Sequence, residues 1–133
     1  MIIFRPFIKK DAQLETIEAV DKWPDEFAEA VEKSQLAVTG VWNNQVIGCG
    51  GIHPVNSEQG ELWLRLSKWC VSHPVETMRQ MVEAFLIVEK TCPFKQLNAV
   101  IKEGFCTERI VKRLGFSEVC KKSGFTVYAK VIK

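Results

Sequence analysis

The 133-residue sequence has no apolar run long enough to cross a bilayer, which excludes a helical membrane span. It also lacks an excess of either charge. Eighteen basic and 16 acidic residues leave +2, too little for a dominant nucleic-acid surface. The basic pairs Lys9-Lys10, Lys112-Arg113 and Lys121-Lys122 read as solvated surface rather than a phosphate track. Tyrosine occurs once, at Tyr128, and histidine twice, at His53 and His73. The five cysteines (Cys49, Cys70, Cys92, Cys106 and Cys120) are odd in number and widely spaced, with no Cys-x-x-Cys. Only Cys70 and His73 fall near each other, so no metal site is expected; reduced, mostly buried thiols in a cytoplasmic protein are. The opening Met-Ile-Ile-Phe-Arg-Pro has neither a basic stretch nor a long apolar core, so no secretory leader is expected.

What remains is 47% apolar and 26% charged residues, the balance of one globular domain over residues 1–133. The pattern predicts a strand over 1–8, then a helix capped by Asp11 and running to Val20, with Leu14, Ile17 and Val20 inward. A second short helix opens at Pro24, burying Phe27, Ala28 and Val31. Residues 36–53 form a hairpin turned by Asn43-Asn44, because Asn tolerates positive φ. Gly48, Gly50 and Gly51 in its second arm suggest a bulge or a close backbone approach. Residues 61–67 alternate as a strand, with Leu62, Leu64 and Leu66 on one face and Glu61, Trp63, Arg65 and Ser67 on the other. Residues 68–73 read as a connector. Pro74 opens the longest helix, to about Lys90, with Val75, Met78, Val82, Phe85 and Leu86 inward. A strand over 96–101, a helix over 105–114 stopped by Gly115, and strands over 116–121 and 125–132 complete the chain. In that last helix Cys106, Ile110, Val111 and Leu114 face inward. The order β-α-α-β-β-β-α-β-α-β-β predicts an α+β (α/β sandwich) fold: a mixed, mostly antiparallel sheet of about seven strands with four helices on both faces. The strand–helix–strand unit from Glu61 to Ile101 requires a parallel pair.

This order resembles the GNAT family of N-acetyltransferases over nearly the whole chain. Three segments carry the resemblance: Phe4-Arg5-Pro6 with Asp11-Ala12, the hairpin from Leu36 to Gly48, and Glu108–Phe116, which ends in Leu-Gly-Phe. Gly60-Glu61-Leu62-Trp63 followed by Leu66-Ser67 is similar to the short GNAT-like proteins encoded by tailed phages. The resemblance implies acetyl-CoA or CoA as cofactor, with its pantetheine between residues 63–67 and 97–101. It also implies a loop of pattern Arg/Gln-x-x-Gly-x-Gly/Ala, whose glycines let backbone N–H groups crowd around a pyrophosphate at a helix N-terminus. Residues 67–78 stand in that place and contain no glycine. On this resemblance the cofactor contacts are Leu66, Ser67, Lys68, Cys70, His73, Val75, Glu76, Thr77 and Arg79, with Pro74 removing one N–H and Glu76 adding a negative charge. A backbone N–H near Leu66 would polarise the thioester carbonyl. The family's general-acid tyrosine falls at Val111, so Glu61 or His53 is left as the candidate base. As strand residue and loop histidine, both are equally ordinary surface positions.

Two functions follow. The glycine-free loop favours a phage-encoded module that binds and modulates a host protein, with Trp69 as an exposed anchor, since Trp concentrates at interface hot spots. The alternative is an active acetyl-CoA-dependent N-acetyltransferase acting on an amine of a small molecule or protein. Neither a membrane nor a nucleic acid is an expected partner; an edge strand near the C-terminus suits a homodimer.

Overall fold

Asn43 and Asn44 both take positive φ, 52° and 64°, and so do Ser123 (52°) and Gly124 (82°). Paired left-handed residues match the right-handed twist of the flanking strands, and each pair closes a two-residue hairpin. The computed structural model describes residues 2–13, 25–34, 36–102 and 107–132. Within them seven strands form one sheet: β1 (Ile3–Pro6), β2 (Ala37–Trp42), β3 (Gln45–Pro54), β4 (Gln59–Leu66), β5 (Gln96–Lys102), β6 (Ser117–Lys122) and β7 (Phe125–Val131). The order across the sheet is β1-β2-β3-β4-β5-β7-β6. Every neighbouring pair is antiparallel except β4 and β5, which run parallel, as the crossover requires. The helices are α1 (Asp25–Ser34), α2 (Lys68–Ser72), α3 (Pro74–Thr91) and α4 (Thr107–Arg113). The mixed sheet and four helices make the α+β architecture expected.

Two cores lie on opposite faces of the sheet. Ile52, Leu62, Leu66, Leu97, Ala99 and Tyr128 pack with Phe85 and Val88 of α3 and with Ile110, Val111 and Leu114 of the α4 segment. On the other face Ala28 and Val31 of α1 pack with Phe7, Ala12, Ala37 and Cys49. Gly115, at φ 98°, ends the α4 segment where a side chain would be strained.

Several expectations need correction. Asp11 does not open an α-helix. It sits inside a 3-10 turn, Lys9–Gln13, with its carboxylate buried. There it accepts two 2.8 Å bonds from Arg5, one from the Ile8 N–H at 3.0 Å and one from the Thr39 hydroxyl at 2.7 Å. A short carboxylate can close a local turn as readily as cap a helix. Residues 14–24, including Leu14, Ile17, Val20, Trp23 and Pro24, lie outside the described residues, as does Cys106. Residues 68–72 form helix α2 rather than an irregular connector. On α3 Met78, Val82 and Phe85 pack on the core as expected, joined by Thr77, Met81, Ala84 and Val88, while Val75 is 71% exposed and Leu86 50%. The helix turns its small Thr77 and Ala84 toward the sheet and leaves two larger apolar residues in solvent. The glycine expectation holds in both forms. Ile47 bulges out of the β2–β3 register between Gly40/Gly48 and Val41/Val46, and a Cβ on Gly51 would collide with the Leu36 carbonyl oxygen.

Candidate functional site

The parallel pair holds for only three positions: Gln59 with Gln96, Gly60 with Leu97 and Glu61 with Asn98. Past Asn98, β5 is paired only to β7, and past Glu61, β4 is paired only to β3. The two strands therefore part into a V with Glu61 at its vertex. Which backbone groups line that V follows from the β3–β4 ladder. Val55 donates to the Gln59 carbonyl at one end (2.9 Å) and Ser67 to the Ile47 carbonyl at the other (3.0 Å). Antiparallel bonding alternates along a strand, so the odd residues of β4 bond to β3. The N–H and C=O groups of Leu64 and Leu66 point the other way, across the V.

At the open end, Ser67 is the N-cap residue of α2 and is extended (φ −83°, ψ 172°), yet its side chain makes no cap bond. Ser67 Oγ and Trp69 Nε1 are both shielded from solvent with no hydrogen-bond partner. Each such orphan costs about 1–3 kcal/mol unless a ligand or water supplies the bond. The bulged Ile47 anchors α2, because its carbonyl also accepts the Cys70 thiol at 3.4 Å. Thr77 ties α2 to α3 through its hydroxyl on the Cys70 carbonyl (3.4 Å), and its N–H bonds the His73 carbonyl (3.0 Å).

The sequence-predicted contacts fall into two groups. Leu66, Cys70 and Thr77 are buried against the sheet, with Ser67 and Glu76 half-buried beside them. Lys68, His73, Val75 and Arg79 are exposed along the outer side of α2 and the start of α3. Trp69 is half-buried, not exposed. Its indole stacks on the His73 ring (centroids 4.0 Å, 10° between planes) and lies 5.3 Å from the Trp42 ring. His73 Nδ1 is 2.9 Å from the Trp69 carbonyl oxygen. Glu61 and His53 are cross-strand partners on the face that α1 covers, with the His53 ring 5.1 Å from that of Phe27. The sequence named both residues but had no means of pairing them.

On the same face Arg65 is buried across from Cys49 and donates to the Ala12 carbonyl at 3.3 Å. Burial lowers the Arg65 pKa and pushes the Cys49 thiol up to about 12, so that thiol stays protonated and inert. Tyr128, fully buried on β7, donates to Glu108 of α4 at 3.1 Å. Among the described residues no group of three His, Cys, Asp or Glu can hold a metal ion, and no helix is long and apolar enough to cross a membrane.

No protein-family model matches the chain, and no curated protein matches it in sequence. Solved structures do match in fold. A putative acetyltransferase from Salmonella typhimurium, solved with its cofactor acetyl-CoA, superposes with a TM-score of 0.70 at 14% identity, over 99% of this chain and 94% of that one. The ribosomal-protein-alanine N-acetyltransferase of Brucella melitensis gives 0.70 at 14% identity, over 97% and 99%. A Campylobacter jejuni N-acetyltransferase in complex with acetyl coenzyme A gives 0.61 at 13% identity, over 98% and 99%. The fold is that of the GNAT acetyltransferases.

The V suits a pantetheine arm, which is extended and amide-bearing. Leu64 and Leu66 offer it backbone groups in strand geometry, and Ser67 Oγ and Trp69 Nε1 are orphans in want of a partner. The pyrophosphate end suits CoA less well. Helix α2 replaces a glycine loop, Pro74 has no N–H, and Lys68, Arg79 and His73 bring exposed nitrogen donors to that surface.

Proposed function

We propose that the protein binds acetyl-CoA and transfers its acyl group to an amine. The parting of β4 from β5 beyond Glu61, with the Leu64 and Leu66 backbone groups turned into the gap, carries this reading. Leu64, Leu66 and Ser67 hold the pantetheine arm; Lys68 and Arg79 meet the phosphates from the exposed side of α2 and α3. The cofactor supplies an activated acyl carbonyl when bound. A Leu66 N–H directed at that carbonyl favours the charge that develops on its oxygen. Glu61, at the vertex, accepts the proton of the incoming amine, directly or through His53 across the ladder or a water. As the amine nitrogen bonds the acyl carbon the C–S bond breaks, and the departing thiolate takes its proton from water, since the buried Val111 has none to give. The acceptor is an amine of a small molecule or protein, approaching from the face that carries Glu61 and His53. The protein works in the cytoplasm, and edge strand β6 leaves a homodimer open to it.

The glycine-free helix α2, with Pro74 and Glu76 at the start of α3, favours a second reading: a phage-encoded GNAT-fold module that modulates a host protein without efficient catalysis. Trp69 then acts with His73 and Trp42 as an aromatic cluster rather than as a lone anchor. Calorimetry with CoA and acetyl-CoA separates the two. Micromolar binding that weakens in Lys68→Ala and strengthens in Glu76→Ala supports the transferase. No binding at millimolar cofactor refutes it, and capture of a host protein that is lost in Trp69→Ala then supports the module.

A further inference from the structure

Beside the V, under β2, β3 and β4 and facing α3, lies an apolar cavity of about 60 Å³. Its sheet side includes a glycine-rich patch in which Gly40 is paired with Gly48 across β2–β3 and Gly50 with Val38, and the Leu64 and Leu66 side chains lie close over Gly50 and Gly48. On the helix side, Ala84 and Thr77 are too short to reach across. Leu62, Leu64 and Leu66 of β4 form the wall shared with the V. The rim is open: Phe4, Val38, Gly50 and Leu64 are only half-buried. Leu64 thus has its backbone turned into the V and its side chain in the cavity.

We propose that this cavity is an acyl-chain pocket, so that the preferred donor is a short aliphatic acyl thioester longer than acetyl. This rests on the acyl-CoA reading above. The void sets the length. An engineered apolar cavity of about 150 Å³ takes the six carbons of benzene. On that scale about 60 Å³ takes two to three methylene-sized groups, which corresponds to a butanoyl chain and excludes an aromatic ring. The lining selects against polar or charged acyl groups, whose burial here would leave them without partners.

Calorimetry on the full chain with CoA, acetyl-CoA, butanoyl-CoA and octanoyl-CoA tests the proposal. Each buried methylene strengthens binding about fourfold, so butanoyl-CoA is expected to bind about 15-fold tighter than acetyl-CoA. Octanoyl-CoA is expected to gain nothing further, because the pocket is full. Val38→Phe, which fills the cavity from its half-exposed rim, is expected to abolish the butanoyl preference and leave acetyl-CoA binding unchanged. Ala84→Leu, which fills it from α3, provides an independent second variant. Equal affinity for acetyl- and butanoyl-CoA, or a preference that survives both variants, overturns the pocket and leaves the transferase reading standing. If no thioester binds, both fall together.

Discussion

Ser67 offers a test in which two ordinary arguments predict opposite signs. It occupies the N-cap position of α2, where Ser→Ala usually costs about 0.5–2 kcal/mol. That cost comes from losing a side-chain bond to the first helical N–H groups, and no such bond is present here. Its hydroxyl is instead shielded and unpartnered, a state costing about 1–3 kcal/mol. The residue is only half-buried, so the lower end of that range applies. Ser67→Ala is therefore expected to stabilise the unliganded protein by about 1 kcal/mol, or about 3–5 °C in Tm for a domain of this size. If the hydroxyl waits for a pantetheine amide, the same change removes one ligand bond worth about 1 kcal/mol. Urea titrations with and without acetyl-CoA then give a distinctive pair of results. The variant is more stable than wild type without ligand, and the two converge with ligand, because ligand stabilisation scales with the logarithm of affinity. A variant less stable than wild type without ligand would refute the reasoning at its root. A gain that persists unchanged with ligand would remove Ser67 from the cofactor site.

Asp11→Ala strands the buried Thr39 hydroxyl and the Arg5 guanidinium, and a loss of about 3 kcal/mol is expected in the same urea assay. Burial raises the Asp11 pKa, but the bonds from Arg5, the Ile8 N–H and Thr39 outweigh it and hold the carboxyl below the usual carboxylate range. Its contribution is therefore full above the unfolded value near pH 4 and is lost as pH falls through the folded value. Wild type is expected to lose stability in acid more steeply than Asp11→Ala; parallel pH profiles would contradict this. Gly115→Ala is expected to cost about 1–2 kcal/mol, since φ is 98° and a Cβ would meet Lys130 at 3.2 Å; an unchanged denaturation midpoint would mean that the turn relaxes. Brief alkylation of the native protein at pH 8 followed by peptide mapping is expected to label exposed Cys120 well before buried Cys49, Cys70 and Cys92, and rapid labelling of Cys49 would contradict its raised pKa.

Local chemistry made much of the architecture readable. Asn43-Asn44 and Ser123-Gly124 specify their hairpins because few residue pairs tolerate two positive φ values, and Pro74 and Gly115 punctuate helices for equally local reasons. The alternation from Glu61 to Ser67 placed three leucines on one face and Glu61 on the other, and the crossover from β4 to β5 followed from chirality. Helix α2 escaped because five residues span too little of a helical period to leave a pattern. A Ser followed by Lys-Trp-Cys-Val and closed by Pro74 was the only signal available for it.

The site itself was decided at longer range. That Glu61 faces His53, that Trp69 lies on His73 instead of in solvent, and that Asp11 binds Arg5 and Thr39 rather than capping a helix all depend on residues far apart in sequence. So do the V and the cavity beside it. No residue encodes a parting of strands; it arises because β5 takes its register from β7 while β4 keeps its register with β3. The sequence by itself determined the order of strands and helices, through turn residues and side-chain period. Only the tertiary structure decided where two strands separate and which small residues leave room between the sheet and α3, because both are properties of packing among elements.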